Sequence, residues 1–359
     1  MFNIRSREEN FCQEMDFSLK LLGFKLIVLH ALAFFCLTLK NASAGGLTMD
    51  MDNFWGLYLQ IFTPQFAEDD DDRRRRWEML CLDIFIHNLK ADLGLTSFRR
   101  GLNEYSDLTR EEVQKYLKGY NCDSYDYYHG NSTNYLKASN VKAPRSLDLR
   151  DDNLVTEVKN QGTCGCCWAF SAVGSLEGQH KKKTGNLVSL SEQQLLDCDT
   201  NGPDNGCNGG LMTGAFDYIK SVKGEDSEAS YPYQGKQGQC NFREDNVVAS
   251  VTGYVEIPSG DEDALLEAVA TVGPIAVAID SSSDSFTTYK SGIYDEPTCS
   301  STRLDHAVVL IGYGTEDELD YWLVKNSWGE TWGIQGYMKM SRNKNNQCGI
   351  ATQASYPLV

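Results

Sequence analysis

The second half of the chain changes from a helix-like to a strand-like spacing of hydrophobic residues. Segments Cys167–Lys182, Ser189–Cys198 and Asp261–Gly273 place apolar side chains three or four positions apart, which predicts three helices. After Gly273, the stretches PIAVAI, AVVLIGYG, DYWLVKNSW and GYMKM are rich in β-branched and aromatic residues and predict strands. Helices that precede strands in this way favour an α+β domain with a helical half and a β half. A cleft between two such halves is a common place for a functional site.

Upstream of this domain, a separate helical pattern covers the stretch from Arg73 to Leu93. The stretch contains neither glycine nor proline and repeats large residues every three or four positions. That period predicts one long helix whose repeated residues share a face. The repeated positions are Trp77, Leu80, Ile84 and Asn88.

A second, shorter helix is predicted just before a linker. Ser106–Val113 places Thr109 three residues before Glu112, which is the spacing of a capping box. The Tyr-, Asp- and Ser-rich segment that follows, residues 121–134, is typical of a surface linker. It includes Asn131 in the sequence Asn-Ser-Thr, a candidate glycosylation site in a secreted protein.

The first 44 residues have the pattern of a signal peptide preceded by an extended leader. Two lysines precede Leu26–Leu39, a run of 14 largely apolar residues, and Ala42–Ala44 supplies the small residues of a cleavage site. A membrane anchor is the alternative, but it needs about 20 apolar residues, and this run also includes His30. A start at Met15 would give a signal of ordinary length. We therefore expect entry into the secretory pathway, a lysosomal or extracellular destination and no stable membrane span.

Composition narrows the classes of partner. The formal net charge is −17, and most of it lies after Lys142. Nucleic acids and anionic membranes bind basic surfaces, so this charge argues against both. The 12 cysteines are many for a cytosolic protein and indicate an oxidising compartment, where disulfides persist.

Three of these cysteines, Cys164, Cys166 and Cys167, lie within four positions and could be disulfide partners, zinc ligands or a nucleophile. Cys167 follows a glycine-containing turn and begins a predicted helix. The partial positive charge of a helix N-terminus lowers the pKa of a thiol there, so Cys167 is the best nucleophile of the three. The spacing argues against a zinc site, since structural zinc sites use thiol pairs about two to four residues apart together with further ligands.

A cysteine nucleophile is best activated by a nearby histidine, and two histidines follow Lys142. His180 lies on the same predicted helix as Cys167, roughly 20 Å away at 1.5 Å per residue, and cannot reach it. His306 begins a predicted strand, beside Asp305, and could face the thiol across a cleft. His306 is therefore the candidate base.

The segment KNSWGETWG, which follows His306 by about twenty residues, offers the partners that such a histidine needs. Asn326 can accept a hydrogen bond from the imidazole and fix its tautomer. Trp328 is large enough to shield that hydrogen bond from water. Before the nucleophile, the Gln161 amide can donate to an oxyanion.

Four stretches resemble the papain family of cysteine proteases, and within it the cathepsin L group. They are QGTCGCCWAFS, GCNGGLM, LDHAVVLIGYG and KNSWGETWG. The likeness runs from Ala143 through Val359. It implies a signal peptide over residues 1–44, an inhibitory propeptide over residues 45–142 and a mature peptidase over residues 143–359.

The likeness extends upstream of Ala143. Residues 69–88 are similar to the family's ERFNIN helix, and residues 101–107 to its GxNxFxD element. Asp69, Leu80 and Tyr105 depart from those two patterns. The expected inhibitory strength of the propeptide is therefore less certain than its fold.

The resemblance implies an α+β, two-domain papain-like fold. A helical half and a β-barrel-like half enclose the active-site cleft, and a helical inhibitory propeptide precedes them. It implies that Cys167 is the nucleophile, His306 the base and acid, and Asn326 the residue that orients His306. Gln161 would donate to the oxyanion. The implied reaction is endopeptidic hydrolysis through a thioester, with no metal and no other cofactor.

The resemblance also implies where a substrate binds. The main pocket takes the residue second on the N-terminal side of the cut. An apolar residue such as Leu, Val or Phe is expected there, because the walls of the pocket are apolar and Gln353 forms a neutral floor. The implied substrate-binding residues are Gly209, Gly210, Leu211, Met212, Ala278, Leu304, Asp305, Ala307, Trp328 and Gln353.

Eight cysteines follow Lys142, and setting Cys167 aside leaves an odd number, so at least one thiol is unpaired. Sequence alone does not fix the connectivity. The resemblance implies three disulfides and leaves Cys166 as the spare thiol, while Cys122 in the propeptide has no obvious partner. The implied pairs are Cys164–Cys207, Cys198–Cys240 and Cys299–Cys348.

We expect the protein to be a monomer. Its implied partners are protein and peptide substrates, its own propeptide as an intramolecular inhibitor, and cystatin-type inhibitors. The alternative is a catalytically silent papain-like binding protein. Such a protein would lack the Cys, His or Asn, and all three are present. A disulfide-stabilised binding module would leave the Gln–Cys–His–Asn set unexplained.

Overall fold

A computed structural model of the chain describes residues 48–62, 71–121, 132–136, 142–200 and 202–359. The chain divides into two compact units, Met1–Ala67 and Glu68–Val359. The predicted signal peptide, Asp69, Cys122 and the glycosylation candidate Asn131 lie outside the described residues. Within the described residues, no helix is long and apolar enough to cross a membrane.

The first unit contributes one described helix, α1 (Thr48–Phe62), on which the rings of Trp55 and Tyr58 stack with centroids 5.4 Å apart. The second unit holds all other described elements. Its helices are α2 (Asp71–Asp92), α3 (Arg110–Glu112), α4 (Cys167–Thr184), α5 (Glu192–Cys198), α6 (Met212–Val222), α7 (Glu262–Thr271) and α8 (Asp284–Thr287), with a π-helical turn at Val113–Leu117 and 3₁₀ turns at Glu244–Asn246 and Gln347–Gly349.

The strands of the second unit are β1 (Phe98–Arg100), β2 (Leu147–Asp148), β3 (Glu225–Asp226), β4 (Val247–Ala249), β5 (Gly253–Glu256), β6 (Ile275–Ile279), β7 (Tyr289–Tyr294), β8 (His306–Glu316), β9 (Leu319–Lys325), β10 (Tyr337–Ser341) and β11 (Ala354–Leu358). Nine of them form one sheet in the order β1-β7-β10-β9-β8-β6-β11-β5, with β2 paired to β8. Strands β3 and β4 form a separate pair. The strands predicted after Gly273 correspond to β6, β8, β9 and β10.

The upstream helices α2 and α3 form where their sequences predict them, and an ion pair between side chains joins them. At α3, Thr109 Oγ1 accepts from the Glu112 amide at 3.1 Å while the Glu112 carboxylate accepts from the Thr109 amide at 2.8 Å, which is a complete capping box. Arg73 on α2, only 8% exposed, donates to Glu112 Oε1 at 2.8 Å. The Arg73–Glu112 ion pair therefore fixes α2 against α3.

The helical half begins with α4, which is buried along most of its length. It ends at Gly185, where a φ of 80° suits glycine. Ser191 caps α5, its side chain accepting from the Gln194 amide at 3.0 Å. Helix α6 was not predicted, although its buried residues Met212, Ala215, Phe216 and Ile219 repeat at helical spacing.

The two halves meet where α4 packs on β8. Ser171 on α4 donates to the Val308 carbonyl at 2.7 Å. A Cβ on Gly174 would lie 2.7 Å from Val309 Cγ2, so the helix approaches the strand more closely than any side chain at this position would allow. His306 is the first residue of β8, and Cys167 is the first residue of α4. The packing of α4 on β8 therefore holds both candidate catalytic residues.

Three disulfides stabilise the second unit, and they join the pairs that the resemblance implies. They are Cys164–Cys207, Cys198–Cys240 and Cys299–Cys348. Each closes a loop of more than forty residues, a length at which a cross-link restricts the unfolded chain substantially.

Strand β1 pairs with β7 through a glycine that tolerates no side chain. Gly292 faces Phe98 in the antiparallel register and has a φ of +85°. An added Cβ would lie 2.3 Å from the Ser97 carbonyl oxygen. Gly185 has a similar φ of +80° but nothing within 4 Å, so it serves as a matched control.

We expect Gly185→Ala to destabilise the full chain by about 1 kcal/mol, the ordinary cost of a left-handed backbone for a residue with a Cβ. Gly292→Ala should cost clearly more, because its methyl group also separates β1 from β7. Thermal unfolding of the two variants measures the difference. Equal melting temperatures would contradict the pairing of β1 with β7.

Candidate active site

The candidate nucleophile Cys167 lies at the N-terminus of α4 and is fully buried. Its sulfur accepts a hydrogen bond from the Ala307 amide at 3.3 Å, and the Gly119 amide also lowers the pKa of this thiol. Ala307 belongs to β8 and Gly119 to the predicted propeptide. The thiol is thus enclosed by both halves of the domain and by an upstream backbone segment.

Burial has an electrostatic consequence for Cys167. Loss of water raises the pKa of the Cys167 thiol to about 12, although the amides of Ala307 and Gly119 act in the opposite direction. The sulfur is therefore a neutral thiol in this state. A helix N-terminus alone would favour the thiolate, and here desolvation is the larger effect.

His306 and Asn326 form the hydrogen bond that the sequence predicts. His306 Nε2 lies 2.8 Å from Asn326 Oδ1, and Oδ1 also accepts from the Ser327 amide at 2.8 Å. Among the described residues, no hydrogen-bond partner meets the other ring nitrogen, Nδ1. Burial lowers the pKa of the His306 imidazole to about 4, against the opposing effects of Asn326 and Asp305. The imidazole is therefore neutral and its Nδ1 is free to take a proton.

An aromatic cluster covers this hydrogen bond. The ring of Trp328 lies 4.9 Å from that of His306 between centroids, and Phe286 lies 5.9 Å from His306 on another side. Trp328 and Trp332 are fully buried and pack edge to face at 5.4 Å. Water is thereby kept from the His306–Asn326 pair, which is the place expected for Trp328.

The side-chain amide of Gln161, the candidate oxyanion donor, is already hydrogen-bonded to other groups of the precursor. Nε2 donates to the carbonyl oxygens of Leu117, at 3.1 Å, and of Cys164, at 2.9 Å. Its Oε1 accepts from the Ser327 hydroxyl at 2.6 Å, which fixes the orientation of the amide. Trp328 Nε1 donates to the same Leu117 oxygen at 3.2 Å. The Leu117 carbonyl of the upstream segment therefore accepts hydrogen bonds from both Gln161 and Trp328.

Residues 117–121 cross the site and pair with the backbone of Gly210. The Gly210 amide donates to the Gly119 carbonyl at 2.9 Å, and the Asn121 amide donates to the Gly210 carbonyl at 3.2 Å. Tyr120 and Gly210 form a parallel bridge. The Tyr120 amide donates to the Asp305 carbonyl at 3.3 Å, so the segment contacts both sides of the cleft.

The side chains on either side of Gly119 occupy two different pockets. Lys118 is 4% exposed, and its Nζ lies 2.8 Å from Asp305 Oδ2. Tyr120 is 7% exposed and hydrogen-bonds through its hydroxyl to Gln353. Five of the predicted substrate-binding residues belong to the same buried apolar cluster as Tyr120: Leu211, Met212, Ala278, Leu304 and Ala307.

The structure therefore brings the predicted site residues into one cleft. Gly209, at a φ of +112°, would place a Cβ 3.1 Å from the Gly119 oxygen, so it too lines the path of this segment. Among the described residues, no group of three His, Cys, Asp or Glu side chains could hold a metal ion.

Comparison with known proteins decides the family. Residues 143–358 match the family model of the papain family cysteine proteases. Cathepsin L of Sarcophaga peregrina is 51% identical over 278 residues, which are 76% of this chain and 82% of that protein. Procathepsin L of Mus musculus is 49% identical over 297 residues, 82% of this chain and 87% of that protein. The chain belongs to the papain family of cysteine proteases.

Solved structures of protease precursors have the same fold as this papain-family chain. The digestive procathepsin L2 proteinase of Tenebrio molitor superimposes with a TM-score of 0.80 at 39% identity, covering 86% of this chain and 100% of that one. The recombinant stem bromelain precursor superimposes with a TM-score of 0.77 at 34% identity. The predicted papain-like fold and cysteine peptidase class are confirmed. The chain is the precursor of a cathepsin L-like cysteine protease, and the segment over its site is an inhibitory propeptide.

The papain-family propeptide is anchored beside the cleft by its GxNxFxD-like element. The Gly101 amide donates to the Thr288 carbonyl at 2.8 Å, and Asn103 Nδ2 donates to the Thr287 carbonyl at 2.8 Å. Tyr105, which departs from the family's Phe, uses its hydroxyl to donate to the Trp328 carbonyl at 3.1 Å. The departure therefore adds a hydrogen bond to the aromatic cluster.

Cys166, the spare thiol, points away from the reacting groups. Its sulfur lies 3.1 Å from the Tyr233 hydroxyl, which in turn donates to the Gln161 carbonyl at 2.7 Å. It is fully buried and, like Cys167, is a free thiol. Burial raises the pKa of the Cys166 thiol well above its ordinary value.

Three propeptide residues that enter the cleft were not predicted from the sequence: Lys118, Gly119 and Tyr120. One signal was present: a glycine between two large residues, directly after the capped helix that begins at Arg110. The reason for the glycine lies on the other side of the cleft. A Cβ on Gly119 would be 1.9 Å from the Gly165 carbonyl oxygen, so only glycine allows the two backbones to meet.

We expect Gly119→Ala to weaken inhibition by the propeptide, because the added methyl group must lift residues 118–120 away from Gly165. The full-length precursor should then react with an epoxide probe directed at Cys167 without prior processing, at a rate at least about tenfold above the unsubstituted precursor. A loss of about 1.4 kcal/mol of docking free energy suffices for that factor. Gly101→Ala is the control, since its nearest neighbours lie at an ordinary 3.4 Å. Equal rates for both variants would contradict this contact.

Proposed function

We propose that this protein is a cysteine endopeptidase that hydrolyses protein and peptide substrates after its propeptide, residues 45–142, is removed. The mature enzyme would be residues 143–359. The observation that carries the proposal is the state of His306: Asn326 holds one ring nitrogen at 2.8 Å, and the other has no hydrogen-bond partner among the described residues. A histidine held in this way is prepared to exchange a proton with the nearby thiol.

In the proposed mechanism, the Cys167 thiol gives its proton to His306 Nδ1, and the thiolate attacks the substrate carbonyl. The amide of Gln161 stabilises the oxyanion. His306 then donates its proton to the departing amine, which leaves a thioester on Cys167. Water, deprotonated by His306, hydrolyses the thioester and restores the thiol. The reaction uses side chains and water alone.

The proposed substrate path is the one that residues 117–121 now occupy. Gly210 offers an amide and a carbonyl to an extended peptide, as it does to Gly119 and Asn121. The apolar walls of the pocket next to Gly210 favour a large apolar residue, second on the N-terminal side of the cut. Burial of such a side chain contributes about 1.5–3 kcal/mol.

The proposed setting is the secretory pathway, with a lysosomal or extracellular destination. The signal-like N-terminus and the three disulfides support it, since disulfides persist in oxidising compartments. We further propose that the mature enzyme is a monomer that cystatin-type inhibitors bind. An inhibitor segment inserted in the cleft would cover Cys167 as the propeptide does.

Labelling of the processed enzyme with an epoxide probe tests the assignment of the nucleophile. We expect one probe per molecule, attached at Cys167, and loss of both label and peptide hydrolysis in Cys167→Ala. Cys166→Ser is the matched control and should retain both, because Cys166 faces Tyr233. Asn326→Ala should lower kcat/KM by about 100-fold or more, as the tautomer of His306 is no longer fixed. An unlabelled processed enzyme, or label on Cys166, would contradict the proposal.

A further inference from the structure

The peptide group between Gly210 and Leu211 is held from behind by a buried carboxyl group. Asp204 is 4% exposed, and its Oδ1 accepts a hydrogen bond from the Leu211 amide at 2.6 Å. In a planar trans peptide group the N–H and the C=O point in opposite directions, so this hydrogen bond also sets the direction of the Gly210 carbonyl. That carbonyl accepts from the Asn121 amide of the propeptide at 3.2 Å. Asp204 therefore directs the acceptor that an extended chain in the cleft meets.

Glycines make room for this carboxyl group on two sides. A Cβ on Gly210 would lie 2.4 Å from Asp204 Oδ1 and 2.7 Å from Trp168 Cδ2. A Cβ on Gly214, in the first turn of α6, would lie 2.3 Å from Asp204 Oδ2. Trp168 is fully buried and is the second residue of α4. Gly210 is therefore enclosed between the carboxyl group and the helix that begins at Cys167.

The loop that carries Asp204 is closed by contacts of its own. The Asn205 amide donates to the Gly209 carbonyl at 2.8 Å. The Cys164–Cys207 disulfide joins the loop to the turn before α4. Neither contact involves the propeptide, so we expect the carboxyl group to keep its place beside the Leu211 amide after processing.

The charge state of Asp204 follows from its surroundings. Its Oδ2 is buried, and no described group donates a hydrogen bond to it. The two ionisable side chains that act on it are both acidic: Asp199, directly after α5, and Asp217, on α6. Burial, and after it the charge of Asp199, raise the pKa of the Asp204 carboxyl well above its ordinary value. Asp204 is therefore a neutral acid, close in size and shape to the side-chain amide of asparagine.

We propose that Asp204 is a positioning residue for the peptidase reaction, which directs the Gly210 carbonyl at the substrate backbone through its hydrogen bond to the Leu211 amide. This inference rests on the proposed function and adds to it the group that orients the substrate-binding backbone. A residue that only stabilised the loop would affect all peptides alike. A residue that directs this carbonyl affects those peptides that donate a hydrogen bond to it.

The test uses processed enzyme whose active sites have been titrated with the epoxide probe, and two fluorogenic peptides. They differ only in a methyl group on the backbone nitrogen of the residue second on the N-terminal side of the cut, whose N–H would donate to the Gly210 carbonyl. For the unmethylated peptide, Asp204→Ala should raise KM by about 3- to 10-fold, the effect of one hydrogen bond, and leave kcat within about twofold, since such an interaction is the same in the bound substrate and the transition state. For the methylated peptide, kcat/KM should change by less than about twofold, because the hydrogen bond is absent in both enzymes.

Asp204→Asn is the matched variant, because its neutral amide can accept from the Leu211 amide in the same way. We expect it to restore KM for the unmethylated peptide to within about twofold of the unsubstituted enzyme. If Asp204→Ala does not fold, Asp204→Ser replaces it, since its hydroxyl lies one bond closer to the backbone and falls short of the Leu211 amide.

Three results would overturn this inference alone: an unchanged KM after removal of the carboxyl group, an equal loss on both peptides, or an asparagine variant as impaired as the alanine variant. Failure of the unsubstituted enzyme to take the label at Cys167, or to cleave the unmethylated peptide, would overturn the proposed function and this inference with it.

Discussion

The contact on which the rest of the site depends is the meeting of two backbones without a side chain between them. A Cβ on Gly119 would lie 1.9 Å from the Gly165 oxygen, and one on Gly165 would lie 2.5 Å from the Lys118 oxygen. Glycine on both sides lets the propeptide approach the start of α4 directly. This approach covers Cys167 and brings Lys118 to Asp305 and Tyr120 to Gln353.

Inhibition in this account is electrostatic as well as steric. The partners that orient the site are already in place in the precursor, because Asn326 holds His306 at 2.8 Å and Ser327 holds Gln161 at 2.6 Å. What the precursor lacks is water and an open path for a substrate. Desolvation penalises both ions of a thiolate–imidazolium pair, so the covered site favours the neutral thiol and the neutral imidazole. Removal of the propeptide would change the charge state of Cys167 and His306, while Asn326 and Ser327 keep His306 and Gln161 oriented.

Local features of this structure were predictable from sequence, and contacts across the fold were not. The capping box of Thr109 and Glu112 and the start of α4 at Cys167 depend on neighbouring residues, so spacing alone predicts them. The Lys118–Asp305 ion pair spans 187 residues and the Tyr120–Gln353 hydrogen bond spans 233, and no local pattern encodes either. The candidate roles of Gln161, His306 and Asn326 followed from residue chemistry, and the family resemblance implies the same roles. That resemblance also implies Gln353 as the floor of the main pocket, but it does not indicate the propeptide side chain that reaches Gln353.

The charge state of His306 in the precursor shows whether the propeptide holds Cys167 and His306 in their neutral forms. Nitrogen-15 spectra of the imidazole, assigned by the signal that disappears in His306→Phe, can be followed between pH 3 and pH 8 before and after processing. Because burial lowers the pKa of His306 to about 4, the account predicts a neutral imidazole in the precursor at pH 6, with protonation only as the pH falls towards 4. After processing it predicts an imidazolium at pH 6, paired with the Cys167 thiolate. An imidazolium at pH 6 in the intact precursor, unchanged by processing, would contradict the claim that the propeptide holds the pair neutral.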